Sequence, residues 1–139
     1  PAGLASRDTL RLEMGYCLYG NEIDDTTSPI SAGLGWVTKF SKKFLGMEEI
    51  LSHKENGTNE KLIAFELLER GIPRKDYEIF NAQDEKVGRV TSGTMSPSTQ
   101  KAIGLGYVSN NNSDDSSLFL GIRNKKIPIK KVKLPFYKK

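Results

Sequence analysis

The sequence predicts a mainly β fold with some α, in which an N-terminal helical segment leads into a small antiparallel β-barrel. Three observations predict it. Apolar residues near the start recur at helical spacing. Beyond residue 60 they alternate with a period of two. The alternating runs are short and punctuated by glycine, proline and asparagine, as in a small barrel or sandwich.

Taken in order, Ser6 or Asp8 caps a first helix that runs through Tyr19, with Gly20 as its stop. Leu10, Met14, Cys17 and Leu18 form one apolar stripe, and Leu12, Tyr16 and Tyr19 a second. A helix apolar on two sides is sandwiched rather than lying on a surface. Asn21 to Pro29 is a polar turn, and Gly33 to Val37 a short apolar segment read as a strand. Met47 to Lys54, preceded by Gly46, reads as a short helix. The polar stretch Glu55 to Asn59 then divides the chain, giving units of residues 1–57 and 58–139.

In the second unit Ile63, Phe65 and Leu67 alternate with Leu62, Ala64 and Glu66. Further strands are expected over Tyr77 to Asn81, Lys86 to Ser92, Ala102 to Val108, Ser117 to Arg123 and Ile127 to Leu134, with a short piece near Phe136. Turn clusters at Ala82 to Glu85, Ser96 to Ser98 and Ser109 to Ser116 separate them.

Composition bounds the function. The 139 residues, 37% hydrophobic and 27% charged, leave room for one domain, or one small domain and part of another. A mean hydropathy of -0.47 is low for a self-sufficient core, so some apolar surface is expected to face further sequence. No apolar run approaches the roughly 20 residues of a membrane span, and no signal peptide is visible. A first residue of proline reads as a processed or truncated chain. The one cysteine, Cys17, forbids an intrachain disulfide, and its place on an apolar stripe reads as packing. The one histidine, His53, reads as exposed, and with one cysteine and one histidine no zinc site of the usual kind forms.

Gly104-Leu105-Gly106 lacks the third glycine of a dinucleotide fingerprint, and Thr91-Ser92-Gly93 lacks the lysine and helix of a phosphate loop, so it reads as a turn constraint. Asn110 to Asp115 is oxygen-rich but lacks calcium-loop spacing. Arg123 to Lys139 holds eight basic residues and no acid, leaving 13 basic against 17 acidic residues elsewhere, a balance of -4. That tail reads as a solvated strand edge or as a docking surface for an acidic partner, a polyanionic ligand or nucleic acid.

Several motifs carry a family resemblance. Pro1-Ala2-Gly3-Leu4-Ala5-Ser6-Arg7-Asp8-Thr9-Leu10-Arg11-Leu12-Glu13 is followed by Leu18-Tyr19-Gly20-Asn21-Glu22-Ile23-Asp24, then Pro29 and Ala32 to Trp36. Later come Gly88 to Ser98, Ile103 to Val108, and the ending Lys133-Leu134-Pro135-Phe136-Tyr137. In this order they resemble the C-terminal part of the glycine cleavage system T-protein, an aminomethyltransferase. The resemblance runs over nearly the whole chain and is weakest between Lys39 and Arg70.

The resemblance implies a transferase that takes an aminomethyl group from the lipoyl arm of H-protein, releases ammonia and passes the carbon to tetrahydrofolate. Tetrahydrofolate is then a substrate, no metal is needed, and other glycine cleavage proteins are partners. A bacterial source would place it in the cytoplasm and a eukaryotic one in the mitochondrial matrix. The family's catalytic carboxylate lies in its N-terminal part, so no catalytic residue is assigned here, and the chain alone is expected to be inactive. Arg7 matches the family's folate-side arginine, and its planar, permanently charged fork suits a carboxylate or polar ring edge. The competing reading of Arg7 is a salt bridge with Asp8 or another acid. Tyr16 and Trp36 are further candidates for folate contact, with core packing as the alternative. Glu13 is a candidate that positions neighbours through hydrogen bonds. The functional alternatives are a folate-dependent demethylase or folate-binding protein of the same superfamily, and a basic barrel binding nucleic acid. The tail offers only Phe136 and Tyr137 as stacking aromatics for the last.

Overall fold

The computed structural model describes residues 2–113 and 117–138. Helix α1 spans Leu4–Glu13 and α2 spans Met47–Asn56. Six strands follow: β1 Glu60–Leu67, β2 Glu78–Phe80, β3 Lys86–Met95, β4 Ala102–Ser109, β5 Leu118–Ile122 and β6 Lys125–Lys131. All neighbours are antiparallel and close a barrel in the order β1-β4-β3-β2-β5-β6. The mainly β architecture with an N-terminal helical segment is as the sequence predicts.

The alternation decides which side chains fill the barrel. Ile63, Phe65, Ile79, Val90, Val108, Leu118, Leu120 and Ile129 form the interior. The opposite face of β1 and β4 sends Ala64, Ile103 and Leu105 outward against Leu12 of α1. Complete burial of a leucine such as Leu12 contributes about 2 kcal/mol. β4 is therefore covered on both faces, and its glycines turn inward. A Cβ on Gly104 would sit 2.5 Å from the Phe65 ring, so that position is kept empty for the ring. The Gly-Leu-Gly run is thus a packing device of a narrow barrel.

Several boundaries differ from expectation. α1 stops at Glu13, six residues before Tyr19, because Gly15 adopts a φ of 73° and closes the helix there. The Gly15 N–H donates to the Leu12 carbonyl at 2.8 Å, and the Tyr16 N–H to the Arg11 carbonyl at 2.9 Å. That pair of bonds is the Schellman motif. Its N-cap is Gly3 rather than Ser6 or Asp8. The helix is not sandwiched: of the second stripe Leu12 is buried but Tyr16 and Tyr19 are exposed, and Leu10 of the first stripe is exposed too.

Gly33 to Val37 is a series of turns, with Leu34 N–H bonded to the Pro29 carbonyl and Val37 N–H to that of Leu34. The segment near Phe136 pairs with no strand among the described residues. It straps across the end of α1, where the Phe136 and Tyr137 N–H groups both donate to the Glu13 carbonyl at 3.0 and 3.1 Å. β6 ends at Lys131, short of Leu134, and because it pairs with both β5 and β1 it is no edge. Residues 114–116, in the expected turn and oxygen-rich loop, lie outside the described residues.

Thr91-Ser92-Gly93 is not a turn but the middle of β3, and it carries a register irregularity. Val90 pairs with Gly106 and Ser92 with Leu105, leaving Thr91 as the extra residue of a bulge. Without it Ser92 would share the inward face of Val90. The bulge turns Ser92 onto the outer face, beside α1.

Candidate functional site

The exposed side of α1 collects two of the four sequence candidates. Arg7, Leu10, Met14 and Tyr16 line an open concavity of about 670 Å³. Leu10 is 62% and Tyr16 63% exposed, so this apolar wall is uncovered. Arg7 makes no salt bridge with Asp8, whose carboxylate is taken by Arg11 at 2.6 Å. The Arg7 guanidinium has no hydrogen-bond or ionic partner among the described residues. Met14 and Tyr16 also border a second concavity of about 290 Å³ that includes Trp36, Leu34 and Leu134. Trp36 is 75% exposed, which excludes core packing for it within the described residues. Arg7, Tyr16 and Trp36 thus stand along one rim, with a cation at one end and aromatic rings further along.

Glu13 is not on that face. It is buried, and its carboxylate accepts from Ser96 Oγ, from Ser98 N–H at 3.1 Å and from Ser98 Oγ at 2.9 Å. Burial alone would push its carboxyl up. The bonds from Ser96 and Ser98 outweigh that and hold it below the ordinary glutamate value. Glu13 therefore ties α1 to the β3–β4 loop with its side chain and to the C-terminal strap with its carbonyl. That arrangement fixes the helix end from which Met14 and Tyr16 project.

Residues 60–138 match the family model described as the glycine cleavage T-protein C-terminal barrel domain. Residues 1–42 match the GCVT N-terminal domain model. The chain belongs to the glycine cleavage T-protein family. It is 59% identical to the aminomethyltransferase of Flavobacterium psychrophilum, covering 100% of this chain and 39% of that protein. It is 52% identical to that of Phocaeicola vulgatus over 99% of this chain and 39% of the relative. Among solved structures, the glycine cleavage system aminomethyltransferase T of Bartonella henselae superposes with a TM-score of 0.91 at 33% identity, over 98% of this chain and 39% of that one. The chain thus spans about 39% of the length of these relatives.

In this T-protein chain the residue that sequence reasoning passed over is Arg11. Its side chain is only 11% exposed and contacts Asp8, Glu22 and Ser92 as well as the Tyr16 carbonyl. The bond to fully buried Glu22 is 2.7 Å and that to Ser92 Oγ is also 2.7 Å. Glu22 Oε2 accepts in addition from the Leu18 N–H at 2.9 Å. The Tyr107 hydroxyl donates to the Glu22 carbonyl at 2.9 Å. Arg11 is therefore the post on which the turn after α1, the loop at Glu22 and the bulged strand all meet. Its signal in the sequence was the i, i+3 spacing to Asp8. The contacts to Glu22 and Ser92 cross 11 and 81 residues and leave no local pattern.

Cys17 is half-buried, and burial followed by the charge of Glu22 pushes its thiol up, which disfavours the nucleophilic thiolate. His53 is not simply exposed: its Nδ1 lies 3.0 Å from Ser28 Oγ. Among the described residues no group of three or more His, Cys, Asp or Glu side chains is arranged to hold a metal ion.

Proposed function

We propose that this chain is the C-terminal part of an aminomethyltransferase. The whole protein would move an aminomethyl group from the lipoyl arm of H-protein to tetrahydrofolate and release ammonia. The observation that carries this reading is the 59% identity to the Flavobacterium psychrophilum aminomethyltransferase along the entire chain.

The α1 face supports the folate part of the proposal. A reduced folate combines a flat ring system with a carboxylate-bearing tail. Arg7 offers an unpaired, permanently charged donor fork, and Tyr16 and Trp36 offer exposed rings beside the apolar Leu10 and Met14. In this role Arg7 binds and orients, and the aromatic rim keeps water from one side of the ligand. Glu13 and Arg11 hold the helix end and the following turn in place. Neither moves a proton in this scheme, because every described contact of theirs is structural.

The test uses the whole protein, supplied with aminomethylated H-protein and tetrahydrofolate. Ammonia release dependent on both is expected. Arg7→Ala should raise the KM for tetrahydrofolate about tenfold or more while Arg7→Lys loses less, as expected when a charged hydrogen bond to substrate is removed. A folded whole protein without this activity would overturn the proposal. The 139-residue chain alone is expected to show no turnover.

A further inference from the structure

The basic tail identified in the sequence meets other cations in a defined place. Arg123 and Lys125, at the β5–β6 turn, and Arg70 and Arg74, in the loop between β1 and β2, ring one open concavity of about 590 Å³. No described residue lining it is acidic. All four cations are exposed, and none has a side-chain hydrogen bond or ion pair among the described residues. Elsewhere on the barrel Lys86, Arg89, Lys101 and Lys126 are paired with Glu78, Glu60, Glu66 and Asp84. Asp76 and Glu78 border the adjoining concavity, and Glu78 is the acid taken by Lys86.

The floor between the four cations is apolar, made by Ile72, Ile122 and Ile127. It is also firm. A Cβ on Gly71 would lie 2.9 Å from Ile127 Cδ1 and 3.0 Å from Ile122 Cδ1, so the loop is pressed onto the barrel wall. The concavity lies on the β5–β6 side, whereas α1 packs on β3 and β4, the opposite pair of strands, with β2 between them one way round the barrel and β1 the other. Four exposed cations with no paired acid among the described residues make a positive patch that attracts anions.

We propose that this concavity docks an acidic peptide segment of a protein partner, in which carboxylates flank an aliphatic side chain. Three of the four cations are arginines, whose planar forks match carboxylates in a bidentate way. The isoleucine floor takes the aliphatic group, which a chain of phosphates alone would leave unfilled. The site also fits nucleic acid poorly. Its cations ring one pocket instead of following a track, and neither nearby aromatic is a free stacking platform. Tyr77 is packed against the barrel core, and the Phe80 ring carries the Lys126 ammonium 4.1 Å from its centroid.

The full chain is titrated with a fluorescently labelled peptide of glutamates flanking two leucines, and binding is read by polarisation. Binding that weakens with salt is expected, and a peptide with serines replacing its leucines should bind less well. The double variant Arg74→Ser/Arg123→Ser should bind about tenfold more weakly, and the corresponding lysine pair should retain most of the affinity. In the unmodified chain, peptide-induced amide shifts should centre on Gly71, Ile72 and Asn124, which keeps the test decisive if the variant folds poorly. Absence of binding at low salt, shifts centred elsewhere, or tighter binding of a single-stranded oligonucleotide through the same arginines would overturn the proposal.

Discussion

At Arg11 one guanidinium, barely exposed, is shared by Asp8, Glu22 and Ser92, and Glu22 is fully buried. Removing the cation strands a carboxylate that water does not reach. Breaking such a pair on one side typically costs about 3 kcal/mol. Arg11→Met should therefore lower the urea midpoint strongly. Combining it with Glu22→Gln should recover part of the loss, because the second change removes the stranded charge. Fully additive losses in the double variant would show that the two residues do not support each other.

Glu13 gives a pH-dependent counterpart. Its folded-state carboxyl is held below the ordinary value, so on acidification the unfolded chain takes up this proton first. The stability it contributes is complete above the usual glutamate pKa of about 4.3 and drains away as pH falls through the lower, folded value. Glu13→Gln should flatten that acid limb in a series of urea melts from pH 7 downward. An unchanged limb would mean that Ser96 and Ser98 do not favour the ionised form.

Elements differ in how plainly the sequence announces them. α2 and the six barrel strands were legible because each has a local pattern, either a period or a flanking turn cluster. The end of α1 was not, since Leu10, Met14, Cys17 and Leu18 continue the helical spacing past the true stop at Gly15. A glycine inside a periodic run looks tolerated until the backbone shows its φ of 73°. The bulge at Thr91 was equally hidden, since Val90, Thr91 and Ser92 look like ordinary strand residues. Only the cross-strand register reveals that Ser92 has changed face.

Gly15 should therefore be intolerant of a side chain. An added Cβ would meet the left-handed backbone penalty of about 1–2 kcal/mol. It would also lie 2.5 Å from Leu134 Cδ2 in the C-terminal strap. Gly15→Ala is expected to lower the melting temperature and to speed amide exchange at Phe136 and Tyr137, whose N–H groups bond to Glu13. A melting temperature equal to that of the parent chain would refute the assignment of Gly15 as the helix stop.

On the scale of the whole molecule, the barrel is well covered and the helical side is not. The interior and the α1-facing wall of β4 are closed, and the architecture follows from alternation and turn chemistry alone. The candidate site was legible as motif residues but not as a surface, because which apolar side chains stay uncovered depends on long-range packing. Leu4 is 83%, Leu10 62% and Trp36 75% exposed, all on the side of the molecule that carries Arg7 and Tyr16. Apolar residues grouped in this way are sticky in water, whereas scattered ones are ordinary. In the relatives the matching region makes up 39% of a longer protein. Isolated in water, the 139-residue chain has only itself or another copy to cover the patch. Its weight-average mass in sedimentation experiments should rise with concentration. Leu10→Ser combined with Trp36→Ser should suppress the rise without shifting the melting temperature, since both side chains are exposed already. The basic concavity at Arg74 and Arg123 lies on the other side of the barrel, away from this patch, so conservative arginine-to-lysine changes there should leave self-association unaffected. A parent chain that stays monomeric at every concentration would show that Leu4, Leu10 and Trp36 do not act as one patch.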